Sequence, residues 1–152
     1  MALLDWHHLC VLAFVMARRK KILIVEDNND CRELFVQLVN RLGYDTIEAV
    51  SGTGAINLAS KLHPDLILMD LNLPEMGEGE ATARLKANRS TKDIPVIIST
   101  AFHDGVYKNR ALSAGAEEIL EKPFSLTTLR ELLGRYLSYK ENCCNYALGK
   151  PT

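Results

Sequence analysis

The stretch Leu66-Ile-Leu-Met-Asp-Leu-Asn-Leu-Pro74 decides the fold that this sequence predicts. Its first four residues form a continuous aliphatic run, which is typical of a strand buried on both faces of a sheet. The run leads directly into Asp70, and Pro74 lies in the turn-rich segment that follows. The stretch therefore predicts a buried strand whose carboxyl end carries an acidic side chain.

Comparable runs recur on both sides and alternate with amphipathic segments. Strands are predicted at 22–25, 46–50, 66–69, 95–99 and 118–120, and helices at about 30–42, 51–62, 80–88, 107–113 and 125–139. Five strands that alternate with five helices favour parallel βαβ units with right-handed crossovers. The predicted fold class is α/β, with a parallel sheet and helices on both of its faces.

Individual residues mark several of the predicted helices. Leu34, Leu38 and Leu42 recur every four residues along the first helix, a spacing typical of one helical face, and a glycine ends that helix at position 43. Ser51 and Ser125 precede two later helices, where a side-chain hydroxyl can cap the free backbone N–H groups.

The composition indicates one globular domain and excludes some functions. The chain has 152 residues, of which 47% are hydrophobic and 24% are charged, and its net charge is -1. A nucleic-acid-binding domain usually has a basic excess, so no nucleic-acid partner is expected. Cys10, Cys31, Cys143 and Cys144 have neither disulfide-framework nor zinc-site spacing, which predicts reduced thiols in a cytoplasmic protein.

The chain is predicted to divide into an extension over 1–19, a domain over 20–139 and a short tail over 140–152. The apolar run from Leu9 to Met16 is too short to cross a bilayer, which takes about 20 residues, so no membrane insertion is expected. Three interpretations of this segment stay open: an interfacial anchor, an extra helix packed on the domain, or an extension that results from assigning the start codon too early. Met16 directly precedes basic residues and the first strand, and we hypothesise that translation starts there. A peptide from the native protein with residues before Met16 would overturn this hypothesis.

Polar side chains stand where the predicted strands end. Glu26 and Asp27 follow the first strand, Asp70 the third, Thr100 the fourth and Lys122 the fifth. Ligands in such folds bind outside the carboxyl ends of the strands, so three carboxylates are expected to meet beside one hydroxyl and one ammonium. Clustered carboxylates repel one another unless a cation lies among them, and Mg²⁺ is held by such oxygen ligands. An aspartate in such a site can act as a nucleophile toward phosphorus.

Four segments, each at the carboxyl end of its own predicted strand, carry a family resemblance. They are Ile22-Leu-Ile-Val-Glu-Asp27, Met69-Asp-Leu-Asn-Leu-Pro-Glu-Met76, Ser99-Thr-Ala101 and Glu121-Lys-Pro-Phe124. With these motifs in this order, the chain from about Lys20 to Tyr139 resembles the receiver domains of two-component signalling. The resemblance implies a flavodoxin-like, doubly wound sheet of five parallel strands in the order 2-1-3-4-5.

The resemblance also implies a role for each motif residue. Asp70 would be the phosphoacceptor and one of the magnesium ligands. Asp27 would bind Mg²⁺ directly, Glu26 would bind it through water, and Asn72 would supply a backbone carbonyl.

Two further residues would act on the phosphoryl group. Thr100 would hydrogen-bond it and move toward it on activation, and Lys122 would pair with the acceptor carboxylate and then with the phosphate. The peptide bond between Lys122 and Pro123 is typically cis in this family.

The implied function is that of a response regulator. A histidine kinase or histidine phosphotransfer protein would supply the phosphoryl group. Phosphorylation would shift the face formed by the fourth helix, the fifth strand and the fifth helix toward a state that binds a downstream effector protein or a second copy of the chain as a homodimer. Such a protein is not a turnover enzyme. Phe102 is bulky enough to shield the phosphoryl group from water, which predicts slow self-dephosphorylation.

Two departures from the family pattern favour a different function. Glu78 occupies a loop position where many receivers have glycine, and Ile119 replaces the Tyr or Phe that usually stands three residues before the lysine. Both departures would suit a degenerate receiver that acts as a phosphorylation-independent interaction module.

Two further classes of protein with this topology fit the sequence less well. A flavodoxin-like cofactor protein would need a Ser/Thr/Gly-rich phosphate loop where this chain has acidic residues at 26–30. An aspartate-nucleophile phosphatase would need a second acid two residues after the nucleophile, at Asn72. In a purely structural role, Glu26 and Asp27 could simply cap the first helix.

Overall fold

Strands and helices alternate along the part of the chain that the structure, a computed structural model, describes: residues 18–77 and 79–138. The elements are β1 (Lys21–Val25), α1 (Asn29–Arg41), β2 (Asp45–Ala49), α2 (Gly52–Leu62), β3 (Leu66–Asp70), α3 (Glu80–Ala87), β4 (Val96–Thr100), α4 (Gly105–Ser113), β5 (Glu118–Glu121) and α5 (Leu126–Leu137). Each predicted strand and helix is confirmed, with ends shifted by one or two residues.

The strands pair in parallel in the order β2-β1-β3-β4-β5, which confirms the expected topology. The strand order reverses between β1 and β3, and this is the switch point where such sheets bind ligands. Register pairs Asp70 with Ser99, and Thr100 with Glu121. The ends of β3, β4 and β5 therefore lie side by side at one edge.

The sheet is covered on both faces, because successive side chains of each strand alternate between two apolar clusters. One cluster joins Leu23, Ile67 and Ile98 to side chains of α2, α3 and α4. The other joins Ile24 and Leu68 to side chains of α1 and α5. Asp70 follows Leu68 by two residues, so it lies on the face that α1 and α5 cover.

Helix α1 buries a face that lies beside the predicted row of leucines. Phe35 and Val39 are its buried residues; of the predicted row, Leu38 and Leu42 are partly buried against the same cluster and Leu34 is 56% exposed. The periodicity that identified the helix is shared by two adjacent rows of apolar residues. The contact with the sheet selects the row that begins at Phe35.

Side-chain caps fix where several helices begin. Asn28 Oδ1 accepts the backbone N–H of Cys31, and Ser51 and Ser125 cap α2 and α5 as predicted. Since Asn28 is the N-cap residue of α1, the interpretation in which Glu26 or Asp27 caps this helix is wrong.

Several sequence predictions lie outside the described residues. These are the part of the extension that precedes residue 18, the start at Met16, the tail over 140–152 and the loop residue Glu78. The residue after that loop position, Gly79, has a φ of +82° and is the N-cap residue of α3. The proposed domain limits stay a prediction. None of the helices in the described ranges has the length and apolar character needed to span a membrane.

Candidate functional site

Three carboxylates meet at the carboxyl edge of the sheet. Glu26 and Asp27 follow β1, and Asp70 is the last residue of β3. One ligand oxygen from each of the three lies within 4.8 Å of the others. Glu26 is buried and Asp27 is exposed, so the cluster opens to solvent on one side.

The Lys122 ammonium lies against two of these carboxylates. Its Nζ donates a hydrogen bond to Glu26 Oε2 at 2.9 Å and lies 3.7 Å from Asp70 Oδ1. The Lys122 backbone N–H donates to the carbonyl of Thr100 at 2.8 Å, which continues the pairing of β4 with β5. The peptide bond from Lys122 to Pro123 is cis, as the resemblance implied.

Burial and the neighbouring charges act on these groups in opposite directions. Burial raises the pKa of the Asp70 carboxyl; the Lys122 charge lowers it, but repulsion from Glu26 and Asp27 adds to the increase, and the net pKa is raised. Burial lowers the pKa of the Lys122 ammonium, but the hydrogen bond to Glu26 and the charge of Asp70 outweigh burial, so its net pKa is also raised. Lys122 therefore stays charged while the cluster still carries excess negative charge.

Thr100 is fully buried at the end of β4, and its Oγ1 accepts the backbone N–H of Phe102 at 3.0 Å. The Phe102 ring is 44% exposed and lies against Tyr107 of α4, with 5.7 Å between ring centroids. Asn72 lies two residues beyond β3 and is exposed. The roles predicted for Thr100 and Asn72 toward phosphate and metal stay predictions.

Ile119 occupies an inward position. It pairs in register with Ile98 and packs against the cluster that joins the sheet to α2, α3 and α4. Ile119 therefore contributes a partly buried aliphatic side chain at the position where the resemblance predicts an aromatic one.

Two side chains that support the site are not predicted by the sequence pattern. Arg32 donates to the carbonyl of Glu26, and the Phe35 ring lies under Lys122, with 5.3 Å from Nζ to the ring centroid. The contact between Arg32 and Glu26 follows from the geometry of the loop, which a strand and helix pattern does not give. Phe35 belongs to an apolar row whose orientation the sequence left open.

A further missed cluster ties the end of β5 to α4. Glu121 accepts hydrogen bonds from Lys108 and pairs with His103 Nδ1 at 3.2 Å. The hydrogen bond from Lys108 is the largest cause that lowers the pKa of Glu121, followed by that from His103. The absence of ligand spacing around His103 indicates a surface residue, and its side chain is indeed 74% exposed.

The donor set fits a hard divalent cation. Three carboxylates supply oxygen atoms without nitrogen or sulfur ligands, which is the chemistry that Mg²⁺ prefers. A single ammonium is in contact with two of the three, so an added cation would offset the remaining negative charge.

Comparison with known proteins places these features in a family. Residues 22–134 match the family model described as response regulator receiver domain. The chain is 42% identical over 118 residues to the polar-differentiation response regulator DivK of Brucella ovis. The aligned residues make up 78% of this chain and 96% of that protein. The DivK protein of Brucella anthropi is 40% identical over the same length.

Solved structures agree with the fold and the topology. The receiver domain of the sensor histidine kinase PA1611 of Pseudomonas aeruginosa, described with magnesium coordinated in its active-site cleft, is 30% identical. The match covers 78% of this chain and 97% of the solved chain, with a TM-score of 0.73. The chemotaxis protein CheY4 of Vibrio cholerae is 28% identical and also has a TM-score of 0.73, covering 78% of this chain and 99% of its own. The chain belongs to the response regulator receiver domain family.

Proposed function

We propose that this receiver domain accepts a phosphoryl group on Asp70 in a reaction that depends on Mg²⁺. The observation that carries the proposal is the meeting of Glu26, Asp27 and Asp70 within 4.8 Å, with Lys122 Nζ 3.7 Å from the Asp70 carboxylate. A nucleophile, a cation site and a fixed ammonium at one edge are the parts that phosphoryl transfer requires.

In the proposed reaction a carboxylate oxygen of Asp70 attacks the phosphorus of a phosphohistidine on the donor protein. The new O–P bond forms as the N–P bond breaks, and the imidazole leaves and takes a proton from solvent. The Lys122 ammonium, which contacts Asp70, stays paired with an oxygen of the transferred group and offsets its charge. Water later cleaves the acyl phosphate, which releases inorganic phosphate and restores the Asp70 carboxylate.

Glu26, Asp27 and Asp70 would hold the cation, with the carbonyl of Asn72 as a further ligand. When bound, Mg²⁺ would neutralise charge on the transferred phosphoryl oxygens. The receiver domain in the Pseudomonas sensor kinase is described with magnesium in its cleft, which supports the same ion here.

Signalling would follow from the hydroxyl of Thr100. In the unmodified protein this oxygen accepts the N–H of Phe102, so a phosphoryl group that draws the hydroxyl inward would release the loop after β4. That loop leads into α4, where Val106 and Leu112 are 55% and 43% exposed. We propose that the face formed by α4, β5 and α5 binds the effector, or a second copy of the chain in a homodimer.

The donor in this proposal is a histidine kinase or a histidine phosphotransfer protein. The chain accepts one phosphoryl group and is not a turnover enzyme, and slow self-dephosphorylation with shielding by Phe102 belongs to the same proposal. A cytoplasmic location is also proposed, from the cysteine spacing and from Cys31, which is a free thiol.

The degenerate receiver is not favoured. Its support is the replacement at Ile119 and the loop at Glu78, whereas the carboxylates and Lys122 that phosphoryl transfer needs lie together. The replacement at Ile119 bears on how the signal leaves the site and not on the chemistry at Asp70.

The test is the intact mass of the purified protein after incubation with acetyl phosphate and MgCl₂. We expect the addition of one phosphoryl group, lost in Asp70→Asn and in a sample with excess EDTA. An unmodified parent protein that is folded, beside a control receiver that is modified, would contradict the proposal.

A further inference from the structure

Arg32, in the first turn of α1, binds three groups that come from different elements. Nη1 donates to the backbone carbonyl of Glu26 at 3.0 Å, and Nη2 donates to Asn29 Oδ1 at 2.7 Å. Nε donates to Glu48 Oε2 on β2 at 3.1 Å. The Arg32 side chain is 14% exposed, and its contact with the Glu26 carbonyl is partly buried, whereas the contacts with Asn29 and Glu48 are exposed.

These contacts fix the residue that delivers the carboxylates. The Glu26 backbone N–H donates to the Ala49 carbonyl at 3.1 Å, and its own carbonyl accepts from Arg32. Both polar groups of this peptide segment are therefore held, one by β2 and the other by α1. Asp27 lies between Glu26 and Asn28, the N-cap residue of α1, and the Asn28 backbone N–H donates to Glu26 Oε1 at 3.2 Å, so the position of Asp27 depends on how firmly these two neighbours are held.

The charge of Arg32 is paired with Glu48 and not with the three-carboxylate cluster. Its nearest carboxylate is Glu48, whereas its contact with Glu26 is to the main-chain oxygen, and the Glu26 carboxylate is paired with Lys122. Arg32 thus leaves the negative charge of the three-carboxylate cluster available to a cation while it restrains the backbone beneath the cluster.

We propose that Arg32 is a positioning residue for the cation site, which holds the Glu26-Asp27 segment at the separation from Asp70 that a divalent ion requires. The inference rests on the proposed function, since it assumes that these carboxylates bind Mg²⁺. Groups that orient metal ligands without touching the metal typically change affinity by about 10–100-fold when they are removed.

The forked guanidinium is needed for this role. Lysine carries a single ammonium on a flexible stem and cannot hold a backbone carbonyl, an amide oxygen and a carboxylate in one fixed plane. A lysine ammonium can still donate to one of these oxygens. Arg32→Lys should therefore lose less Mg²⁺ affinity than Arg32→Ala does.

The experiment is calorimetric titration of MgCl₂ into metal-free parent, Arg32→Ala, Arg32→Lys and Glu48→Gln proteins. We expect affinity to fall about tenfold or more in Arg32→Ala and less in Arg32→Lys. Glu48→Gln keeps an oxygen acceptor for Nε and leaves the Glu26 contact in place, so its affinity should stay within about twofold of the parent. Melting curves in EDTA identify folded variants, and Arg32→Lys carries the test if Arg32→Ala does not fold.

Two results would overturn the inference: an Arg32 variant that is folded and binds Mg²⁺ as tightly as the parent, or a Glu48→Gln protein that loses as much affinity as Arg32→Ala. Asp27→Asn separates this failure from failure of the metal site itself. If Asp27→Asn binds Mg²⁺ as the parent does, the proposed ligand set is wrong, whatever the Arg32 variants show.

Discussion

The Asp70 carboxyl carries its charge among two other carboxylates and one ammonium. Burial raises its pKa above the ordinary value of 3.8, and the opposing effect of Lys122 does not cancel the increase. The folded protein therefore binds this proton more tightly than the unfolded chain does. The resulting stabilisation is complete below about pH 3.8 and is lost as the pH rises through the folded pKa.

We therefore predict that Asp70→Asn is more stable than the parent at pH 7 when metal is removed. Lys122 keeps Glu26 as its partner in this variant, while one like charge is lost. A gain of about 1 kcal/mol would raise the melting temperature by about 3 °C in a domain of this size. Thermal melts in EDTA should show the gain shrinking as the pH is lowered toward 4. A lower melting temperature for Asp70→Asn at pH 7 would contradict this interpretation of the charge cluster.

At the same scale, some site residues could be predicted from the sequence and others could not. Glu26, Asp70 and Lys122 each directly follow or end a strand, and parallel strands bring such ends to one edge. Arg32 acts through a main-chain carbonyl and a residue of β2, so its role depends on a loop conformation that residue spacing does not encode. Phe35 reaches Lys122 because of the rotation of α1, which the apolar pattern left undetermined.

At the scale of single elements, α1 and α5 show how much an apolar pattern determines. The pattern predicted both helices and, through Ser125, the start of α5, because helical periodicity and caps are local properties. It did not determine which side of α1 meets the sheet. Leu34 of α1 is 56% exposed, whereas Leu133 of α5 is fully buried in the apolar cluster on the sheet face that α1 and α5 cover.

The same substitution in these two helices should therefore have very different effects. Leu133→Ala removes fully buried methyl groups and leaves a cavity, so the free energy of unfolding should fall by about 2–5 kcal/mol. Leu34→Ala should change it by no more than about 0.5 kcal/mol, as is usual for an exposed position. Urea unfolding of both variants measures the difference. Equal losses of stability would mean that α1 packs on the sheet through the face that carries Leu34.

For the molecule as a whole, the order of the strands determines where the chemistry lies. Reversal of the order between β1 and β3 brings Asp27 and Asp70, 43 residues apart in the numbering, to one edge of the sheet. The alternation of elements predicted parallel strands whose carboxyl ends meet at one edge, and the resemblance to receiver domains implied the order of the strands. The same arrangement does not explain the output, because position 119 has a partly buried isoleucine where the resemblance predicts an aromatic side chain that moves.

The central claim is that the phosphoryl group is carried by Asp70. The most direct test is to phosphorylate the protein with acetyl phosphate and MgCl₂, reduce the acyl phosphate with borohydride, and locate the resulting homoserine by peptide sequencing in a mass spectrometer. We expect homoserine at position 70 in the sample with MgCl₂, and no homoserine there in a sample to which EDTA has been added. Homoserine at another carboxylate, such as Asp27 or Asp65, would contradict it.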